Sequence, residues 1–312
     1  LAARCLVEVS NDFHGMGRSM TFVTMGPMLK RAQAAGYGIA AFNMIDYNSA
    51  RSIVDGAVEL QAPIIVQVSV KTIRHWGFKP IATWVRMMAD DVDIPVALHL
   101  DHCTDEDVIK RCIDAGWTSV MFDGSSLPFA ENRARSEAIY RLTESAGVGL
   151  EAEIGAIGGV EDDKFVAEDS AILADYDECL EFVKNMPNLA VFAPAIGTAH
   201  GVYKGQPKIA YDLLERISGA VGIPIALHGG TGLSQEQFDR CISGGCAKVN
   251  ISTMHKLRFI DGFLDVRQAK PKLEEPLPFI VGQYDAMKRD VCDMITAFGS
   301  RGKAAQAAGM VG

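Results

Sequence analysis

The stretch IPVALHLDHC at 94–103 runs straight into TDEDVIKRCIDAG at 104–116. A near-continuous apolar run that loses the period-two alternation reads as a strand buried on both faces, as in a parallel sheet. The segment after it reads as a helix, with Thr104 as N-cap, acids in its first turn and Gly116 as its stop. HLDHC (99–103) also puts two histidines and an aspartate where a buried strand has little reason to carry them.

The same unit recurs outward in both directions. Comparable runs are GIAAFN (38–43), PIIVQVS (63–69), SVMFDG (119–124), GLEAEIG (149–155), LAVFAPAIG (189–197), IPIALHGG (223–230) and CAKVNIST (246–253). Amphipathic stretches separate them; in SQEQFDRCISGG, Ser234 and Gln237 have capping-box spacing. Eight strand–helix units in about 220 residues fit a (β/α)8 TIM barrel, with a doubly wound open sheet as the alternative. LEEPLPFI (273–280) reads as an irregular connection. QYDAMKRDVCDMITAFGSRGKAA (283–305) reads as an extra C-terminal helical segment that closes the barrel or reaches a neighbouring subunit.

Composition narrows the function classes. With 312 residues, 48% hydrophobic and 22% charged, the chain can bury a large core. A net charge of −9 and no run of Lys or Arg give no surface for nucleic acid. Seven scattered cysteines without CxxC spacing point to a reducing, cytoplasmic setting. No segment reaches the roughly 18 apolar residues of a membrane span. We expect residues 1–19 to be an extension or tag and 20–312 a single domain.

Polar residues gather at the C-terminal ends of the eight runs: Asn43, Ser69, Asp101 with His102, Asp123, Glu153, His200, His228, and Asn250 with Ser252 and Thr253. In a barrel those ends form one rim, where barrel active sites are built. Three imidazoles from separate strands suit Zn²⁺ with an open fourth position. On an ideal strand His102 faces away from Asp101, so it joins the rim only if the backbone departs from strand geometry there. His99 reads as a supporting group and Cys103 as packing; His14, His75 and His255 read as surface. HGGTG (228–232) and KVNIST (248–253), the loops after the seventh and eighth runs, have the makings of a phosphate site opposite GTAHGVYKG (197–205), whose Lys204 supplies a cation.

These motifs resemble the class II, zinc-dependent ketose-bisphosphate aldolases, the family of the fructose- and tagatose-bisphosphate enzymes. PVALHLDHC and LEAEIGAIGGVE (150–161) are the specific ones; GTAHGVYKG, HGGTG and KVNIST match in order, and the likeness runs from about residue 25 to FGSRGKA (298–304). The resemblance implies His102, His200 and His228 as zinc ligands, and Asp101 as the group handling the hydroxyl proton at the cleavage point. Glu161 is implied to move the carbon-bound proton. Asp123 and Glu153 match acidic residues that support the site or hold displaced metal. Gly201, Lys204, Gly229, Thr231, Asn250, Ser252 and Thr253 match groups that bind the ketose phosphate, and Asn43 and Ser69 are placed with them. A monovalent cation (Na⁺ or K⁺) near the phosphate loops, dihydroxyacetone phosphate as product and a homodimer or homotetramer follow from the same likeness.

A Schiff-base lysine is not expected, since no Lys occupies the apolar part of a run and Lys248 sits before the polar end of the eighth. Ser252 stands where fructose-specific members often carry Asp and tagatose-type members Ala, which leaves the aldehyde half of the substrate open. Lys71, Arg74 and His75, after Ser69, meet an anionic group or solvate a loop. The rival readings are a non-catalytic aldolase-like partner subunit and a zinc barrel hydrolase.

Overall fold

The computed structural model describes residues 21–155, 158–161, 164–166, 172–201 and 207–310. The expected extension at 1–19 lies outside these residues. In chain order the strands are β1 (Ile39–Asn43), β2 (Ile64–Ser69), β3 (Val96–Cys103), β4 (Ser119–Phe122), β5 (Gly149–Ile154), β6 (Gly158–Glu161), β7 (Lys164–Val166), β8 (Val191–Pro194), β9 (Ala199–His200), β10 (Ile225–Leu227) and β11 (Cys246–Ile251). Eight of them close a parallel barrel in the order β1-β11-β10-β8-β5-β4-β3-β2. All eight apolar runs are its staves, and the open-sheet alternative falls. The remaining three form a small sheet, with β6 antiparallel to β7 and parallel to β9.

The helices are α1 (Met25–Ala35), α2 (Tyr47–Glu59), α3 (Val70–Trp76), α4 (Phe78–Asp90), α5 (Glu106–Asp114), α6 (Phe129–Ala146), α7 (Tyr176–Val183), α8 (Tyr211–Val221), α9 (Gln235–Ser243), α10 (Thr253–Ala269), α11 (Leu277–Ala297) and α12 (Ala304–Ala308). The capping box of α9 forms as expected from Ser234 and Gln237. In α5 the cap is Asp105, not Thr104: its carboxylate accepts from the amides of Asp107 and Val108. Among the described residues no helix is long and apolar enough to cross a membrane.

Two cores result. The larger lies between the staves and the surrounding helices. In the smaller, Met25, Met28, Leu29 and Ala32 of α1 pack against Ile39, Ala41, Ile65, Ala97, Val191 and Ala226, so α1 plugs the N-terminal end of the barrel. Small side chains such as Ala41, Ala97 and Ala226 leave room for long polar ones above them, toward the rim.

The C-terminal segment packs on its own barrel. Tyr284 donates to Asp55 at 2.7 Å, Lys288 pairs with Glu59 at 2.7 Å, and a Cβ on Gly56 would lie 2.8 Å from Val291, so α2 and α11 approach closely. His255, expected at the surface, is buried. Its Nδ1 lies 2.9 Å from Asp290 and its ring 4.8 Å from that of Phe42, tying α10 to α11 and β1.

Candidate active site

Asp101 and His102 both reach the rim because the backbone breaks between them. His102 adopts φ 44°, in the left-handed region, and the β3–β4 register shifts between Leu100 and Cys103. A non-glycine residue there is uncommon, though His tolerates it better than most, and such strain gathers at functional sites. One strand end thereby presents a carboxylate and an imidazole side by side.

Asp101 is 1% exposed and surrounded by amide donors. Asn43 Nδ2 donates to Oδ2 at 2.8 Å, Gln67 Nε2 to the same oxygen at 3.3 Å, and Asn250 Nδ2 to Oδ1 at 3.4 Å. Gln67 also donates to Asn43 Oδ1 at 2.7 Å, which orients the Asn43 amide. Donors from β1, β2 and β11 thus fix the carboxylate in place at the rim, where a general base has to stand.

The imidazoles of His102 and His228 meet beside it. His102 Nδ1 lies 3.1 Å from Asp123 Oδ2, and the other oxygen of Asp123 accepts from the backbone and hydroxyl of Ser125 at 3.1 and 2.6 Å. His228 Nε2 lies 2.8 Å from Glu151 Oε1. Carboxylates only accept, so these outer nitrogens donate to them, and the inner ones, His102 Nε2 and His228 Nδ1, face each other at 2.9 Å, a hydrogen-bonding distance. Glu153 Oε2 stands 3.8 Å from His102 Nδ1 and 3.9 Å from His228 Nδ1. Burial above all, opposed by the hydrogen bond to Glu151, pushes the His228 imidazole down to about 4.

Two facing imidazole nitrogens with a carboxylate nearby are a donor set for a cation. His102, Glu153 and His228 each offer a ligand atom, all within 4.8 Å of one another. Imidazole and carboxylate donors are those Zn²⁺ takes, and ligands at tetrahedral zinc stand about 3.3 Å apart, so a few tenths of an ångström of opening accommodates the ion. The residues fit the metal.

His200 ends β9, whose backbone pairs with β6 at Gly159. Gly229, at φ 65°, turns the chain after His228 against that segment: a Cβ there would lie 2.5 Å from Ala199 O. The side chains of His200 and Glu161, and the whole of Lys204, lie outside the described residues. Ser69 caps α3, accepting from the Thr72 amide at 3.4 Å. Ser252 and Thr253 open α10, and His75 is exposed on α3.

Below the rim is a layer of which the sequence reading found His99, as a supporting group, and missed Glu151 and the role of Lys248. Lys248 is fully buried, contrary to the expectation that no strand interior holds a lysine; its Nζ lies 2.9 Å from Glu151 Oε2 and donates to Asn250 Oδ1 at 2.6 Å. His99 Nε2 is 3.1 Å from the same Glu151 oxygen. Burial would raise the Glu151 carboxyl, but the Lys248 ammonium and the bonds to His228 and His99 together hold it well below the usual carboxylate range. Burial and the Lys248 charge push the His99 imidazole down. The missed signal was spacing: Glu151/Glu153 and Lys248/Asn250 sit two apart, on one face of each stave, as His99 and Asp101 do on theirs.

Residues 23–303 match the family described as fructose-bisphosphate aldolase class-II. The chain belongs to that family. It is 39% identical over 290 residues to the fructose-bisphosphate aldolase of Geobacillus stearothermophilus, covering 92% of this chain and all of that one. It is 35% identical over 285 residues to the sulfofructosephosphate aldolase of Alkalicoccus urumqiensis, covering 91% and 99%. Among solved structures, the YdjI aldolase of Escherichia coli K12 superposes with a TM-score of 0.80 at 27% identity, over 91% of this chain and 99% of that one. The protein is an aldehyde-lyase, and its barrel is the barrel of class II aldolases.

Proposed function

We propose that residues 20–312 act as one catalytic domain, a zinc-dependent aldolase that reversibly cleaves a phosphorylated ketose of the fructose or tagatose 1,6-bisphosphate type to dihydroxyacetone phosphate and an aldehyde. The observation that carries this is Asp101, its carboxylate oxygens met by three side-chain amides, beside the facing nitrogens of His102 and His228.

His102 and His228, with His200 as the third ligand of the family pattern, would hold the zinc, and Glu153 and Asp123 support them. Bound there, the ion supplies a Lewis acid for the substrate carbonyl and its neighbouring hydroxyl. Asp101 takes the proton from the hydroxyl at the cleavage point, and returns it in the condensation direction. Glu161 moves the proton of the carbon that becomes the nucleophile. The phosphate lies against the amides and hydroxyls of Gly201, Gly229 and Thr231 on one side and of Asn250, Ser252 and Thr253 on the other. Lys204 adds the counter-charge, joined by a monovalent cation; Asn43 and Ser69 line the remaining wall. We place the enzyme in the cytoplasm as a homodimer or homotetramer, on the cysteine usage and the family likeness.

Ser252 leaves the distal end of the sugar open, and the names of two of the relatives above, a fructose-bisphosphate and a sulfofructosephosphate aldolase, differ there. The test is a screen of ketose bisphosphates and of a sulfonate-bearing ketose phosphate for zinc-dependent release of dihydroxyacetone phosphate. Release from any of them, abolished by chelation, is expected. Chelator-sensitive hydrolysis of esters with no triose phosphate from any ketose would overturn the reading.

A further inference from the structure

Lys248 belongs to none of the roles above, yet it touches both halves of the site. It is a charged side chain at zero exposure, inside the barrel, paired with an equally buried Glu151. Buried ion pairs are weak sources of stability, because desolvation offsets their attraction. Their use lies more in fixing geometry, and the geometry here is specific.

An ammonium donates and cannot accept. At 2.6 Å from Asn250 Oδ1, Lys248 therefore fixes which end of that amide faces it, and the Asn250 NH₂ must turn to Asp101 Oδ1. At 2.9 Å from Glu151 Oε2, Lys248 also anchors the carboxylate whose other oxygen meets His228 Nε2 at 2.8 Å. That second contact leaves the hydrogen on Nε2 and the lone pair on Nδ1, the nitrogen facing His102. One ammonium thus sets the direction of hydrogen bonding at Asp101 through Asn250 and at His228 through Glu151. Partners of ligating histidines fix the ring tautomer and orientation, and their loss commonly costs about 10–100-fold in metal affinity.

We propose that Lys248 is a positioning residue for the aldol reaction, bridging Glu151 and Asn250 so that His228 presents Nδ1 to the metal and Asp101 keeps its donors. This rests on the zinc aldolase reading above, and the measurements separate the two. The variants are Lys248→Met, and Lys248→Met combined with Glu151→Gln, which removes both buried charges and keeps the fold within reach if the single variant does not fold.

Histidine ¹⁵N spectra of the metal-free protein show which ring nitrogen carries the hydrogen. His228 is expected with Nε2 protonated in the parent and as a mixture of forms in either variant. Zinc affinity, measured by competition with a chromophoric chelator, is expected to fall at least about tenfold. With zinc saturating, kcat for ketose cleavage is expected to fall, since Asp101 loses the fixed Asn250 donor. A variant that folds, keeps Nε2 protonated and binds zinc as the parent does would overturn the proposal. If the parent itself binds no zinc, the metal reading fails, and the ¹⁵N spectra still decide the role of Lys248.

Discussion

His102 Nε2 and His228 Nδ1 lie 2.9 Å apart with their rings at 87°, joining residues 126 positions apart in sequence. Each ring is held from behind, by Asp123 and by Glu151, so the two inner nitrogens are aimed at one point. Removing either ring should remove the site. His102→Ala and His228→Ala are each expected to lose stoichiometric zinc, read by metal analysis after dialysis, and to lose turnover with it. Chelation of the parent should do the same reversibly. Full turnover in a metal-free sample would exclude the mechanism. Borohydride with substrate should leave the enzyme active, because the buried Lys248 is engaged by Glu151 and Asn250 and forms no imine.

Asp123 should matter as much for orientation as for charge. Its Oδ2 fixes His102 Nδ1, and its Oδ1 is itself fixed by Ser125. Asp123→Asn is expected to permit the opposite His102 tautomer and weaken zinc binding about 10–100-fold, with the fold intact by circular dichroism. Unchanged zinc affinity would show that His102 is oriented by its own strained backbone alone.

Gly229→Ala tests the turn after β10. A left-handed φ costs a residue with a Cβ roughly 1–2 kcal/mol, and here the new carbon would also meet the Ala199 backbone at 2.5–2.8 Å. Relief requires β9 to move, and His200 with it. The expected outcome is a modest drop in melting temperature with a much larger loss of zinc affinity. An equal loss in Gly230→Ala, whose Cβ would meet the Phe238 ring at 3.2 Å rather than backbone, would show that the turn's shape and not its approach to β9 is decisive.

The staves were legible because parallel strands buried on both faces are read from hydrophobicity alone, and the rim because Asp101, His102 and His228 stand where those runs end. What stayed hidden depends on contacts made across the chain. Thr104 and Asp105 are both good caps, and only the helix's actual start selects Asp105. His255 looks like a surface residue one turn into α10 until Asp290 and Phe42 close over it. Lys248 and Glu151 are 97 positions apart and lie in two separate motifs, neither of which shows that they pair; each is tolerable inside the barrel because the other is there.

Asp101→Asn separates proton transfer from metal binding. The side chain keeps its shape and loses its basicity. Its new NH₂ would oppose the Asn250 NH₂, which Lys248 prevents from turning, so a stability loss of about 1–3 kcal/mol is expected from the mismatched donors. The variant should still bind one zinc and still bind dihydroxyacetone phosphate, since neither His102 nor His228 depends on Asp101. Cleavage should fall about 10²–10⁴-fold, or roughly 3–5 kcal/mol of barrier. Exchange of the carbon-bound proton of dihydroxyacetone phosphate with solvent should survive better than cleavage, because that step belongs to Glu161 in the proposed scheme; Glu161→Gln should show the reverse. Cleavage by Asp101→Asn at near the parent rate would make HLDHC a satisfied cluster of the barrel interior and remove Asp101 from the chemistry.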